Sequence, residues 1–424
     1  MADENRIITF QYAKDNYDAY KKQTIPASNE CMTKADVNTY LNADMSMLSS
    51  YTNNQLVPRS RFTPLVGFDI GTGFNDFIQY VSPQPNGKIL VGGGFTTFNG
   101  SSQNRLIRLN SDGPKDTSFD IGTGFNDIVH PVSPQPDGKI LVGGYFTTFN
   151  DVPQKYLIRL NSDGTKDTSL NIGTGFNNYV NSISLQQDGK ILVGGQFTTF
   201  NGVPQNYLIR LNPDGTKDTS FDIGTGFSYW VSRITLQPDG KIIVSGHFSS
   251  FNDAQQNRLI RLNSNGTKDT SLNIGTGFNS SVNSISLQQD GKILVGGQFT
   301  TFNGTPQNRL IRLNSDGTKD TSFDIGTGFN NYVNSISPQP DGKIIVGGFF
   351  TTFNDVPQKY LIRLNSDGTK DTSFDIGTGF GYYVYFTSTQ PDGKILVGGQ
   401  FTTFNDAQQN RLIRLNSDGT RDSL

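Results

Sequence analysis

An internal repeat of 51 residues constrains this sequence more than any other feature. The tetrapeptide Gly-Thr-Gly-Phe recurs seven times without insertion or deletion, and the seven units fill residues 68–424. Its copies begin at Gly71, Gly122, Gly173, Gly224, Gly275, Gly326 and Gly377. Periodicity of this length is typical of propellers and solenoids, in which each unit buries its apolar faces against its neighbours.

Each unit has the pattern of short antiparallel strands. In the fourth unit, residues 230–236 alternate as a strand, 241–248 form a second strand, and 259–263 form a third. The turns between them contain Asp-Gly or Asn-Gly, which favour hairpins because type I′ turns need positive φ at both central residues. A fourth strand is expected near 269–272. Four antiparallel strands per unit predict one propeller blade.

The units therefore predict an all-β fold, a closed seven-bladed β-propeller over residues 68–424. The strands are apolar on both faces, and neither end has an atypical capping unit, so a ring is favoured over a linear stack. The last unit stops at Leu424, where its fourth strand should develop, whereas residues 62–69 are strand-like. We predict that residues 51–67 are a linker and closing strand, and that 61–67 pairs with the seventh blade.

The recurring sequence also resembles a known repeat. Each unit contains a version of Gln-Pro-Asp-Gly-Lys-Ile-Leu-Val-Gly-Gly-x-Phe, followed by Leu-Ile-Arg-Leu-Asn-x-Asp-Gly. This pattern resembles the delta-60 type of β-propeller repeat across residues 68–424. The resemblance implies a propeller with a binding or scaffold role, and it implies no reaction.

Residues 1–67 lack the repeat and contain all four Met, the single Cys and both Glu residues. Residues 33–36 predict the start of a short helix, so 1–50 is expected to be a small irregular or α+β attachment segment. A segment of this size buries little apolar surface alone. The stretches 30–41 and 51–57 resemble N-terminal segments of structural proteins of phages infecting Bacteroidota, which implies a place in the virion.

Composition narrows the classes of partner and compartment. The formal net charge is −2 and no basic block occurs, so nucleic acid is not an expected partner. No run of about 18 apolar residues occurs, which predicts no membrane insertion. The polar start lacks the apolar region of a signal peptide, so synthesis in the host cytoplasm is expected.

The motifs that resemble catalytic or ligand-binding sites have simpler structural interpretations. Gly-Thr-Gly-Phe lacks the third Gly and the Lys-Ser/Thr of a phosphate loop, so it predicts a turn. Asn-Ser-Asp-Gly-Thr-Lys-Asp is similar to a calcium loop, but Pro213 and Asn265 interrupt it in two units. His130 and His247 occupy different positions of their units, which disfavours a metal triad or a Ser-His-Asp set. We predict a protein that is not an enzyme and that holds no cofactor or metal.

One Arg and one Asp recur in every unit, eight residues apart, with the Arg among apolar strand residues. A buried guanidinium requires a partner, so these residues are predicted to form structural ion pairs. Representative pairs are Arg108 with Asp116, Arg261 with Asp269 and Arg414 with Asp422.

The positions at which the units differ are the candidates for a binding surface. They are the residues after Gly-Thr-Gly-Phe, the residue before the Phe of the second strand, and the loop at 100–104 with its equivalents. Aromatic residues with polar neighbours at one end of a propeller suit stacking against sugar rings, although drift among duplicates and packing between blades produce the same pattern. The predicted ligand-binding residues are Tyr229, Trp230, Tyr382, Tyr383, Tyr80 and His247.

The favoured function is a non-enzymatic phage virion protein, associated with the tail or a fibre. Residues 1–67 would bind other virion proteins, and the propeller would bind a host-surface glycan or protein. The alternatives are a bacterial surface or exported β-propeller module, located extracellularly or at the cell surface, and an intracellular protein-interaction scaffold. Whether the chain forms a homo-oligomer is left open.

Overall fold

The computed structural model describes residues 67–423, together with two short strands before them. These strands, Cys31–Met32 and Val57–Pro58, are antiparallel, with Cys31 opposite Pro58. By its internal contacts the chain divides into two units, of which Phe68–Asp422 is one. The described part contains no helix that is long and apolar enough to cross a membrane. The predicted helix at 33–41 and most of the predicted closing strand lie outside the described residues.

Each repeat forms a three-stranded antiparallel sheet, in which the strands lie side by side in chain order and are called inner, middle and outer here. The inner strands are Ile78–Pro83, Val129–Pro134, Val180–Leu185, Val231–Leu236, Val282–Leu287, Val333–Pro338 and Val384–Thr389. The middle strands are Ile89–Gly93, Ile140–Gly144, Ile191–Gly195, Ile242–Gly246, Ile293–Gly297, Ile344–Gly348 and Ile395–Gly399. The outer strands are Leu106–Leu109, Leu157–Leu160, Leu208–Leu211, Leu259–Leu262, Leu310–Leu313, Leu361–Leu364 and Leu412–Leu415.

Between the middle and outer strands of every repeat, the chain forms a separate hairpin of two-residue strands. Its first strands are Thr97–Phe98, Thr148–Phe149, Thr199–Phe200, Ser250–Phe251, Thr301–Phe302, Thr352–Phe353 and Thr403–Phe404. Its second strands are Ser101–Ser102, Val152–Pro153, Val203–Pro204, Ala254–Gln255, Thr305–Pro306, Val356–Pro357 and Ala407–Gln408.

The predicted fourth strand, near residues 269–272, is wrong. After the outer strand the chain makes a single antiparallel bridge, between Leu262 and Lys268, and then turns. The Asp269 carboxylate causes the turn, because its Oδ1 accepts hydrogen bonds from the Ser271 N–H at 3.0 Å and the Ser271 hydroxyl at 2.8 Å. An Asp side chain that bonds the backbone two residues later bends the chain out of a ladder.

The apolar core consists of seven clusters, each shared by two neighbouring repeats. The second cluster is typical: Leu90 and Leu106 of the first repeat pack with Phe119, Ile140 and Phe146 of the second. These side chains are almost completely buried. Burial of apolar surface is the main favourable contribution to folding, so each repeat depends on its neighbours.

The last repeat packs against the first in the same way as internal neighbours pack. Leu396 and Leu412 of the seventh repeat belong to the cluster that contains Phe68 and Ile78 of the first. Asn410 Nδ2 donates a hydrogen bond to the carbonyl of Thr72 at 2.7 Å, as Asn308 Nδ2 does to the carbonyl of Thr327 in the following repeat. The seven repeats therefore form a closed ring.

Between the seventh and first repeats, noncovalent contacts replace the peptide links that join the other repeats. The Phe68 N–H donates to the Asp422 carbonyl at 3.3 Å, and the Arg414 guanidinium carbon lies 4.8 Å from the centroid of the Phe68 ring. Within the chain, the N–H of Phe119 makes the same bond to the carbonyl of Asp116, also at 3.3 Å. Phe68 thus makes with the seventh repeat the contact that Phe119 makes with Asp116, three residues before it in the chain.

The recurring Arg and Asp form an ion pair that also links adjacent repeats. Arg261 Nε lies 2.6 Å from Asp269 Oδ2, Lys241 Nζ lies 3.0 Å from the same oxygen, and Arg261 Nη1 donates to the carbonyl of Ser315 in the next repeat at 2.7 Å. Burial alone would raise the pKa of Asp269, but hydrogen bonds from Ser271 and the charges of Lys241 and Arg261 hold that pKa well below its usual range. The equivalent pairs are Arg108–Asp116, Arg159–Asp167, Arg210–Asp218, Arg312–Asp320, Arg363–Asp371 and Arg414–Asp422.

Two substitutions in the outer turn are explained by this arrangement. Pro213 keeps its carbonyl, and that oxygen accepts the hydrogen bond from Arg159 Nη1 at 2.8 Å. Asn265 Oδ1 accepts from the Thr267 N–H at 3.1 Å and its hydroxyl at 2.7 Å, as an Asp does in other repeats. The turn thus needs oxygen acceptors and no carboxylate charge.

Ring closure predicts that Phe68 contributes as much stability as its internal equivalent. Phe68→Ala and Phe119→Ala should each lower the free energy of unfolding by about 3–5 kcal/mol, because both remove a buried ring from an interface between repeats. Urea denaturation followed by circular dichroism measures both losses. A much smaller loss for Phe68→Ala would show that the first and last repeats do not pack together.

The ion pair predicts that removing both partners is less harmful than removing one. Arg261→Met should destabilise the protein by about 3 kcal/mol, because it leaves the buried Asp269 carboxylate with Lys241 as its only cation. Arg261→Met combined with Asp269→Leu should recover part of that loss. Midpoints of urea denaturation compare the two, and a milder single variant would contradict the pairing.

Candidate functional site

A cavity of about 330 Å³ is lined by side chains from all seven repeats and therefore lies on the axis of the ring. Every inner strand contributes its second residue to the lining. These residues are Gln79, His130, Asn181, Ser232, Asn283, Asn334 and Tyr385. The ring thus brings the seven equivalent residues together at one place, and their side chains differ among the repeats.

A bulge at the start of the inner strand places that residue. Val231 pairs with Gly246 and Arg233 pairs with Ser245, so Ser232 is an extra residue without a partner in the ladder. Equivalent register shifts occur in all seven repeats. A bulge redirects the extra side chain, here toward the axis.

A second ring of lining residues follows the middle strand. The His247 N–H donates to the Trp230 carbonyl at 2.9 Å, which fixes the backbone at the end of that strand. Gly246 is required before it, because a Cβ there would lie 2.1 Å from the same carbonyl oxygen. The lining residues at this position are Tyr145, Gln196, His247, Gln298 and Phe349.

One aromatic group surrounds Trp230 at the mouth of the cavity. The rings of Tyr229 and Trp230 are stacked, with centroids 4.6 Å apart and planes inclined by 17°, and Trp230 lies 5.6 Å from the His247 ring. Tyr229 is 44% exposed. Burial and the charge of Arg258 lower the pKa of His247, so the imidazole is neutral at neutral pH.

A second aromatic group lies at the sixth and seventh repeats. Phe349 is stacked on Tyr383 at 4.1 Å, and Tyr383 contacts Tyr382 at 4.0 Å. Tyr382 is 43% exposed. Burial, followed by the neighbouring tyrosines, raises the pKa of Tyr385 to about 12, and its protonated hydroxyl donates to Gln400 Oε1 at 2.8 Å.

Five of the six residues predicted to bind ligand gather around this mouth, and one does not. Trp230 and His247 line the cavity, and the other three contact lining residues directly or through one another; these three are Tyr229, Tyr382 and Tyr383. Tyr80 instead packs against Phe386, with centroids 4.5 Å apart, and lies 6.0 Å from the ring of His130. Whether any of the six binds a ligand stays a prediction.

Arg233 lines the cavity beside His130, although it is not among the binding residues predicted from the sequence. Arg233 Nη1 lies 3.0 Å from His130 Nε2 and donates to the Asn181 carbonyl at 3.4 Å. A comparison of aligned repeats contains the signal, because this third position of the inner strand is charged in one repeat alone. The other six residues there are Tyr80, Pro131, Ser182, Ser284, Ser335 and Phe386.

The lining is rich in groups that recognise neutral polar ligands. It contains amide side chains, aromatic rings and one guanidinium, and it contains no Asp or Glu. In the described part of the chain, no group of three or more His, Cys, Asp or Glu side chains could hold a metal ion. Amides donate and accept hydrogen bonds and aromatic rings stack, so the mouth can bind a ligand with hydroxyl groups and apolar faces.

Seven segments of the chain match one protein family, described as "Domain of unknown function (DUF5122) beta-propeller". The matched segments are residues 84–119, 135–170, 186–221, 237–272, 288–323, 339–374 and 390–424. The chain belongs to this β-propeller family. The DUF5122 description supports the propeller fold derived above and names no activity.

Solved structures with a similar arrangement include several propellers. The WD40 β-propeller domain of Doa1 is 13% identical, with a TM-score of 0.49 over 77% of this chain and 91% of that one. The extracellular domain of the putative hybrid two component system BT3049 from B. thetaiotaomicron is 14% identical (TM-score 0.49, 77% of this chain, 39% of that one). PorZ, a surface component of the type-IX secretion system of Porphyromonas gingivalis, is 13% identical (TM-score 0.48, 81% and 47%).

The chain spans less than half the length of the last two of these structures. At these identities and TM-scores, the similarities carry no argument about function. No curated protein matches the sequence significantly.

Proposed function

We propose that this DUF5122 propeller is a non-enzymatic binding protein whose cavity mouth binds a surface glycan. The observation that carries the proposal is the stacked pair of Tyr229 and Trp230, which has an accessible ring beside a cavity lined by amides such as Gln196 and Gln298. Sugar rings present apolar faces that stack on aromatic side chains, and their hydroxyls pair with amides. The second aromatic group extends this surface across the mouth.

The same residues favour binding over catalysis. The lining has no carboxylate that could act as a general acid or base. His247 Nδ1 lies 2.7 Å from Ser281 Oγ, a contact similar to a nucleophile–base pair, but Ser281 is only 7% exposed. A buried hydroxyl does not reach a substrate, so we interpret this contact as structural.

We further propose that the protein is a phage virion component of the tail or a fibre. The support is the resemblance of residues 30–41 and 51–57 to N-terminal segments of phage structural proteins. In this proposal residues 1–67 bind other virion proteins, and the propeller presents its mouth to the host envelope. A bacterial surface or exported module would use the same binding surface.

Glycan binding predicts a specific loss in a double variant. Trp230→Ala combined with Tyr382→Ala should weaken binding by about 5- to 150-fold, because stacking contributes about 0.5–1.5 kcal/mol per ring. An oligosaccharide array identifies a bound glycan, and isothermal titration with that glycan then measures Kd for both proteins. The matched control is Val203→Ser, which changes a side chain that is 60% exposed and does not line the cavity.

Circular dichroism must show that the double variant is folded. Unchanged affinity in the folded double variant, or an equal loss in the Val203→Ser control, would remove the mouth as the binding surface. Absence of binding to every oligosaccharide on the array would contradict the glycan proposal itself.

The virion proposal predicts the genomic and particle context. The gene should lie among portal, capsid and tail genes, and mass spectrometry of purified particles should detect peptides from residues 68–424. Peptides found only on the surface of bacterial cells, with a secretion cassette beside the gene, would favour the exported module instead.

A further inference from the structure

Among residues 67–423, Arg233 is the only Arg, Lys, Asp or Glu whose side chain lines the axial cavity. Among residues 67–423 its guanidinium makes no ion pair, whereas each of the seven recurring Arg residues is paired with an Asp. Its hydrogen-bonding contacts in that range, to His130 Nε2 and the Asn181 carbonyl, both involve Nη1. Nε and Nη2 have no partner there.

The side chains around Arg233 are neutral. Burial raises the pKa of Tyr80 and that of Tyr145, so both hydroxyls stay protonated. Burial, and then the charge of Arg233, hold the pKa of His130 well below its usual value, so its Nε2 accepts the bond from Nη1. The positive charge of Arg233 is therefore not compensated by these neighbours.

The fold does not require a charge at this place. In the other six repeats the equivalent residue is neutral, and it occupies the same position of the same bulged strand. An uncompensated charge inside a protein lowers stability, because the guanidinium loses hydration and gains no carboxylate. The Arg233 guanidinium lines the cavity and has free N–H donors, so it suits an anionic ligand.

We propose that the cavity binds an acidic saccharide, whose carboxylate accepts hydrogen bonds from Nε and Nη2 of Arg233. The proposal rests on the glycan-binding function and adds the class of glycan. A guanidinium presents two parallel donors that match the two oxygens of a carboxylate. The cavity would hold the acidic sugar, and Trp230 and the exposed ring of Tyr382 would stack on neutral sugars at its mouth.

The test compares matched acidic and neutral ligands with the full-length protein. Oligosaccharides that contain uronic or sialic acid are each paired with their carboxyl-reduced form, and Kd is measured by isothermal titration. We expect the acidic form to bind at least tenfold more tightly. Arg233→Gln should abolish that preference, because it removes the guanidinium charge and its two parallel donors, and Arg233→Lys should restore part of the preference.

The control is Arg105→Gln, which removes a positive charge near the same end of the ring. Arg105 donates to the Gly94 carbonyl and does not line the cavity, so the preference for the acidic form should persist. Thermal melting provides a second readout. Without ligand, Arg233→Gln should melt no lower than the wild type, because the change removes a half-buried charge that no carboxylate compensates.

The outcomes separate this inference from the proposed function. If both forms of each oligosaccharide bind equally, and the Trp230 and Tyr382 variant still loses affinity, glycan binding stands and the role of Arg233 is overturned. If acetate or inorganic phosphate alone binds at Arg233 with no contribution from the sugar, the acidic-saccharide class is overturned. If no oligosaccharide binds, the proposed function fails as well.

Discussion

The packing of one repeat against the next is the interaction on which the whole protein depends. Each three-stranded sheet has two apolar faces, and Leu90 and Leu106 of one repeat are buried by Phe119 and Ile140 of the following one. A linear array would leave a face uncovered at each end, whereas a ring covers all of them. The Arg–Asp pairs follow the same rule, since the Arg261 guanidinium bonds both its own Asp269 and the next repeat at Ser315.

Because these interfaces are repeated, few positions are free to differ without disturbing them. The bulged residue of the inner strand and the residue after the middle strand point to the axis, away from the clusters between repeats. Variation at these positions turns a nearly sevenfold framework into an asymmetric cavity, with an aromatic group at Trp230, another at Tyr383 and a single charge at Arg233. The framework supplies stability, and the axial positions carry the chemical differences.

Local patterns made most of the fold predictable, and side-chain effects explain the rest. Hairpin turns, apolar strands and the eight-residue spacing of Arg and Asp are visible in the sequence, and the fold has all of them. The prediction of a fourth strand is wrong because the Asp269 carboxylate accepts a hydrogen bond from the Ser271 N–H, which bends the chain. The positions at which the repeats differ identified Trp230 and His247. The bulge at the start of the inner strand, however, changes which side chains face the axis, and it is not visible in the sequence. Sequence alone therefore could not distinguish Tyr80, which packs against Phe386, from Arg233, which lines the cavity.

The junction between the seventh and first repeats means that the order of the repeats along the chain can be changed without changing their order around the ring. Phe68 meets Asp422 through the same hydrogen bond that joins Phe119 to Asp116 within the chain, so this junction resembles those inside the chain. A circular permutation that opened the chain at another junction and linked Leu424 to Phe68 would keep the 51-residue spacing and every neighbour around the axis. The cavity depends on the cyclic order of the repeats and is indifferent to which repeat is translated first.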